Sequence, residues 1–138
     1  MSLGGDNVSP DSLRLRILVV DPAGEAGGTL VEAVRRWGHE MRSVRDDASA
    51  FAALATFRPE VLLVVADAQE RVGLLVAQRI RRMEPVRPIL VGVSATPESG
   101  SREREAMAPF DHSVAWPDDR EWLAHFLRAV ARTAMPGV

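Results

Sequence analysis

Five consecutive apolar residues, Val61-Leu62-Leu63-Val64-Val65, follow a turn signal at Arg58-Pro59 and give way to Ala66-Asp67. A short continuous run of this kind suits a strand covered on both faces, as in the middle of a parallel sheet. Open α/β sheets place their ligands and chemistry at the carboxyl ends of such strands. Here that end carries Val64, Val65 and Ala66, and none of the three has a reactive group.

The flanking sequence repeats the theme. Leu15 to Val20 (LRILVV) reads as a second buried strand that stops at Asp21-Pro22, because proline has no N–H for the ladder and fixes its own φ. From about Glu25 to Trp37, Leu30, Ala33, Val34 and Trp37 share a helical face. Arg35 and Arg36 favour the end of the helix dipole, and Gly38 is a natural terminator. Glu40 to Arg45 is a short strand, after which Asp46 or Asp47 caps a helix to about Phe57 with Phe51, Leu54 and Ala55 inward.

Beyond the central strand, Leu75, Val76, Arg79 and Ile80 mark the buried stripe of a helix from about Val72 to Met83, closed by Glu84-Pro85. Pro88 leads into the strand Ile89 to Val93. Pro97 to Met107 is the most polar helix, and its Arg/Glu run at 102–105 reads as a solvated face. Ser113 to Ala115 is a short fifth strand. Asp118 or Asp119 then caps a last helix to about Thr133, with Leu123, Phe126, Leu127 and Val130 facing in.

Five alternations of strand and helix, without a repeat or long linker, argue for a parallel sheet with helices on both faces. The right-handed crossover rule makes the expected fold a flavodoxin-like three-layer α/β sandwich of five strands, order 2-1-3-4-5, with five helices. Residues 1–12 read as a disordered leader, 13–134 as the domain, and 135–138 as a tail or the start of a linker. Gly24, Gly27 and Gly28 lack the spacing of a dinucleotide-binding loop.

At 138 residues, 46% apolar and 26% charged, the chain is an ordinary single domain. A net charge of -2 gives no basic surface for nucleic acid or an anionic membrane. The absence of cysteine excludes disulfides and thiolate metal sites. No apolar stretch approaches the roughly 18–20 residues that span a bilayer, and Met1 to Pro10 has neither the basic head nor the apolar segment of a signal peptide. A cytoplasmic, bacterial-type domain is the expectation. His39, His112 and His125 show no ligand spacing, so hydrogen-bonding or solvated roles are expected, with no metal and no cofactor.

From Arg16 to about Ala131 the chain resembles the receiver domains of two-component response regulators (CheY-like). The resemblance rests on ILVVD at 17–21, Gly38-His39-Glu40, FRPEVLL at 57–63, Gly73, Val91-Gly92-Val93-Ser94, Phe110-Asp111-His112 and Trp116-Pro117. It implies a phosphorelay role. An active receiver carries two adjacent acids after the first strand that help hold magnesium, and a phosphoacceptor aspartate at the end of the third. A Ser or Thr follows the fourth strand, and a Lys precedes a Pro after the fifth. Hard oxygen ligands suit magnesium, a carboxylate is the nucleophile, and the hydroxyl and cation offset charge on the phosphoryl group.

Matched residue by residue, the set is depleted. Asp21 holds the first acidic position, but the second is Pro22. The phosphoacceptor position falls on Val65. Ser94 retains the hydroxyl, Trp116 replaces the lysine with Pro117 kept after it, and Ser113 replaces the aromatic switch residue. Two carboxylates ~4 Å apart repel by roughly 4 kcal/mol at an effective dielectric near 20, so losing an acid, the nucleophile and the cation together leaves a quieter pocket. The resemblance therefore implies a degenerate pseudo-receiver, not an enzyme, acting by phosphorylation-independent contact with a protein partner or an attached signalling domain. A homodimer through the fourth helix, fifth strand and fifth helix is one form of that contact.

Two alternatives stand beside it. Asp67, two residues past Val65, is a displaced phosphoacceptor on one view and a turn or capping aspartate on the plainer one. A small-ligand sensor, with the less polar pocket near Val65 and Trp116 admitting an apolar or flavin-like molecule, is the other. Trp116 reads equally as a plug or partner anchor and as an aromatic packed on Pro117. Trp122 sits where the inward stripe of the last helix does not need it. It joins Ser113 and Trp116 as a candidate interface, against simple packing on Phe126.

Overall fold

The computed structural model describes residues 14–22, 24, 27–65, 72–82, 88–94 and 110–133. The strands are β1 (Arg16–Val20), β2 (Glu40–Val44), β3 (Val61–Val65), β4 (Ile89–Ser94) and β5 (His112–Ala115). They pair in parallel throughout, in the order β2-β1-β3-β4-β5. This is the flavodoxin-like order expected from the alternation of elements. Four helices lie among the described residues: α1 (Gly27–Arg36), α2 (Asp47–Thr56), α3 (Val72–Arg81) and α4 (Arg120–Thr133). The polar helix expected over 97–107, the leader at 1–12 and the tail at 135–138 fall outside them. Among the described residues no helix is long and apolar enough to cross a membrane.

β3 sits at the centre, and its side chains divide between two cores. Val61, Leu63 and Val65 join the layer of α1 and α4, while Leu62 and Val64 join that of α2 and α3. With both faces covered there is no solvent side to call for a polar residue, hence the unbroken apolar run. Each buried Val or Leu contributes roughly 1.5–3 kcal/mol relative to exposure, so this strand anchors both layers.

Local chemistry sets the helix ends. Gly38, at φ +95, follows α1 in the left-handed region open to glycine. Its N–H donates to the Arg35 carbonyl and that of His39 to the Val34 carbonyl, closing a Schellman pair. Asp46 caps α2, its Oδ1 accepting from the Ser49 N–H at 2.7 Å. Asp119 starts α4 through its carbonyl, which receives the Leu123 N–H. Its carboxylate turns back to accept from the Ala115 N–H at 2.7 Å, bracing the tip of β5.

Two inward stripes differ from those expected. In α2 the buried residues are Ala50 and Ala53; Phe51 and Leu54 pack at the margin and Ala55 is exposed. In α3 they are Val76, Ala77 and Ile80, leaving Leu75 54% exposed and Arg79 outside. α2 meets the sheet through small alanines, and α3 through Val76, Ala77 and Ile80. The larger Phe51 is displaced to the margin, where the Arg79 guanidinium lies 4.6 Å from its ring centroid. In α4, Leu123, Leu127 and Ala131 are buried, flanked by Phe126 and Val130.

Candidate functional site at the strand tips

The carboxyl ends of β1, β3, β4 and β5 lie side by side. Val20 pairs with Val64, so Asp21 follows one position beyond, level with Val65; Val65 pairs with Val93, and Ser94 with Ala115. Pro22 ends the β1 ladder. Asp21 is 2% exposed. Its N–H donates to the Val44 carbonyl at 3.0 Å, and its Oδ1 accepts from the Gly24 N–H at 3.1 Å. Gly24 takes φ +75, which closes this small turn. Oδ2 is buried and has no hydrogen-bond partner among the described residues.

Val65, at the tip of β3, is 3% exposed and belongs to the α1–α4 core. Ser94 is half-buried, and its carbonyl accepts the Trp116 N–H at 2.9 Å. The Trp116-Pro117 bond is cis. Trp116 is 4% exposed and part of the same core. Its indole N–H donates to the Thr29 hydroxyl at 2.9 Å, Trp37 meets it edge-on at 6.4 Å, and the Arg120 guanidinium lies 5.7 Å from its ring. Trp116 therefore fills the α1 side of the strand tips. It is withdrawn from the candidate interface, since a ring enclosed by α1 and the core has no face left for a partner.

The rest of that candidate surface is exposed. Trp122 stands 44% exposed, stacked on Phe126 at 4.9 Å and 8°. His112 closes the group, 4.7 Å from Phe126 and 5.9 Å from Trp122. The two readings of Trp122, packing and exposure, hold together. Ser113 and Pro117 are also exposed. Asp67 lies outside the described residues.

The side-chain donor set among the described residues does not fit a divalent cation. Magnesium demands near-octahedral oxygen ligation and gives up its water reluctantly. Of the described residues, the strand tips offer it one carboxylate, Asp21, and the Ser94 hydroxyl; the side chains of Pro22 and Val65 bring no donor. Among the described residues no three His, Cys, Asp or Glu side chains converge. One feature escaped the sequence reading: Thr29 partners Trp116 from 87 positions away and leaves no local pattern. His39 takes a hydrogen-bonding role, one of the two expected of it, buried with its Nδ1 accepting from the Leu15 N–H at 3.1 Å.

An all-parallel five-stranded sheet in this order, with helices on both faces, is a flavodoxin-like α/β sandwich. Solved structures with a similar fold include receiver domains. A signal receiver domain of a histidine kinase from Syntrophus aciditrophicus superposes with a TM-score of 0.73 at 15% identity, covering 90% of this chain and 95% of that one. The receiver domain of a sensor histidine kinase from Pseudomonas aeruginosa PAO1, solved with magnesium in its active-site cleft, gives 0.70 at 21% identity, covering 85% and 97%. A CheY-like response regulator receiver domain from Methylobacillus flagellatus gives 0.64 at 22%, covering 84% and 98%. No protein-family model and no curated protein matches the sequence. The likeness is one of fold.

Proposed function

We propose that this chain is a receiver-fold signalling domain that works through protein–protein contact and performs no phosphoryl transfer of its own. The observation that carries the reading is Val65: the position at which a receiver holds its phosphoacceptor is a hydrocarbon side chain packed into the core. Trp116 supports it, because the lysine position is occupied by an indole tied to α1. With Pro22 in place of the second acid, the strand tips retain one carboxylate and one hydroxyl, too few to hold a metal and a phosphoryl group together. Output then depends on docking, or on an attached signalling domain, in the cytoplasm. The group of exposed Trp122 and His112 with half-buried Phe126, together with Ser113 on β5, is the contact surface this reading favours, a second copy of the chain included.

Acetyl phosphate or beryllofluoride with magnesium should leave the amide NMR spectrum and the sedimentation behaviour unchanged. Saturable shifts around Ser94 and Asp21, or an acid-labile mass gain that disappears in Asp67→Asn, would overturn the reading.

A further inference from the structure

β2 is an outer edge of the sheet. Glu40 donates its N–H to the Leu15 carbonyl, and the Val44 carbonyl accepts from Asp21. With the parallel register to β1, residues 40, 42 and 44 therefore face β1. Met41 and Ser43 turn their N–H and C=O groups outward, where nothing among the described residues pairs with them. A row of this kind is a template for another strand.

Beside it lies an open groove of about 460 Å³, walled by Arg35 of α1 on one face of the sheet and by Ser49, Ala52 and Ala53 of α2 on the other. Residues of both helical layers reach the groove, and the small Ser49, Ala52 and Ala53 line its α2 side. The groove carries one sign of charge, since Arg35 and Arg42 line it and no carboxylate does. Arg42 is held on the α2 side by Phe57, 4.7 Å from the ring centroid, while Arg35 stands on the α1 side. Among the acids flanking the strand, Asp46 is engaged by the Ser49 N–H and Glu40 sits exposed at the start of β2.

We propose that β2 is a docking edge for an extended acidic segment of a partner protein, added as a sixth strand. Main-chain bonds to Met41 and Ser43 supply the affinity, and the two arginines select the charge. Successive side chains of a strand point to opposite faces, so adjacent acids in the segment reach Arg42 and Arg35 respectively. This edge lies at the far end of the sheet from β5, and the inference holds whichever way the strand-tip reading falls.

The test is titration of the full chain with the acetylated, amidated peptide Val-Glu-Glu-Val-Glu-Val, followed by calorimetry and amide hydrogen exchange. Binding should slow exchange at Met41 and Ser43 and weaken by about tenfold or more in Arg35→Glu or when lysines replace the peptide's glutamates. Ser43→Pro deletes one outward N–H without touching the β1 ladder and should abolish binding, while Arg35→Glu keeps the question decidable if that variant misfolds. Four results would overturn the proposal: no binding, equal affinity for the lysine peptide, protection away from β2, or protection at Met41 and Ser43 that rises with protein concentration in the absence of peptide. The last would mean that a second copy occupies the edge.

Discussion

The indole N–H of Trp116 donates to the Thr29 hydroxyl at 2.9 Å, tying the tip of β5 to the first turn of α1. Here a large ring closes the strand tips from the α1 side, with Trp37 against its edge. Thr29→Val keeps the shape and removes the acceptor, leaving a buried N–H unpaired at a cost of about 1–2 kcal/mol. Trp116→Ala loses the ring's packing as well and should cost about 3–5 kcal/mol. Urea unfolding followed by circular dichroism measures both. A neutral Thr29→Val would show that packing alone holds the indole.

Asp21 keeps one carboxylate oxygen buried without a partner. A carboxylate oxygen in that position has given up water without gaining a donor among the described residues, which costs free energy. Asp21→Asn preserves the Oδ1 acceptor for Gly24 and removes the charge. It should raise stability at neutral pH by about 1–3 kcal/mol, seen as a higher urea midpoint at unchanged slope. A lower midpoint would mean that the charged carboxylate is itself stabilising.

How legible these features were depended on the reach of the interaction. β3 and the place of Val65 were plain from the sequence, because a strand covered on both faces leaves an unbroken apolar run and Arg58-Pro59 sets its start. The caps at Asp46 and Gly38 were equally legible, since each acts within five residues. The fate of Trp116 was not, because its hydrogen-bond partner lies 87 positions away and no local pattern distinguishes a plug from an anchor. The stripes of α2 and α3 were misplaced for a different reason. Hydrophobicity ranks Phe51 and Leu75 above Ala53 and Ala77, but the rotation of each helix against the sheet decides which side chains go in, and Ala50 and Ala53 of α2 and Val76, Ala77 and Ile80 of α3 go in.

His39 links stability to pH. Burial holds its imidazole below the ordinary value of 6.5, with the Arg128 and Arg14 charges adding in the same direction. Its Nδ1 must stay unprotonated to accept from the Leu15 N–H. The unfolded chain binds a proton at His39 near pH 6.5 while the folded chain resists it. Stability is therefore full above that pH and declines as the pH falls from 6.5 toward the lower folded value. His39→Gln should flatten this part of the profile in urea titrations between about pH 5 and 8. An unchanged slope in the variant would assign the dependence to another group.

Gly92 allows Phe110 to lie against β4. A Cβ built on Gly92 would stand 2.8 Å from the Phe110 ring, closer than real side-chain carbons approach. Gly92 pairs with Val64 on one side and Ser113 on the other, so its backbone cannot withdraw without disturbing the middle of the sheet. The ring must move instead, out of its place at the margin of the α2–α3 core. Gly92→Ala should cost about 1–3 kcal/mol, the usual range for overpacking, even though alanine lowers the entropy of the unfolded chain. Phe110→Ala removes the obstacle at its own packing cost. In the double variant the Gly92→Ala penalty should vanish, giving a coupling energy of similar size. Additive penalties would place the strain in the strand backbone and not in the contact with the ring.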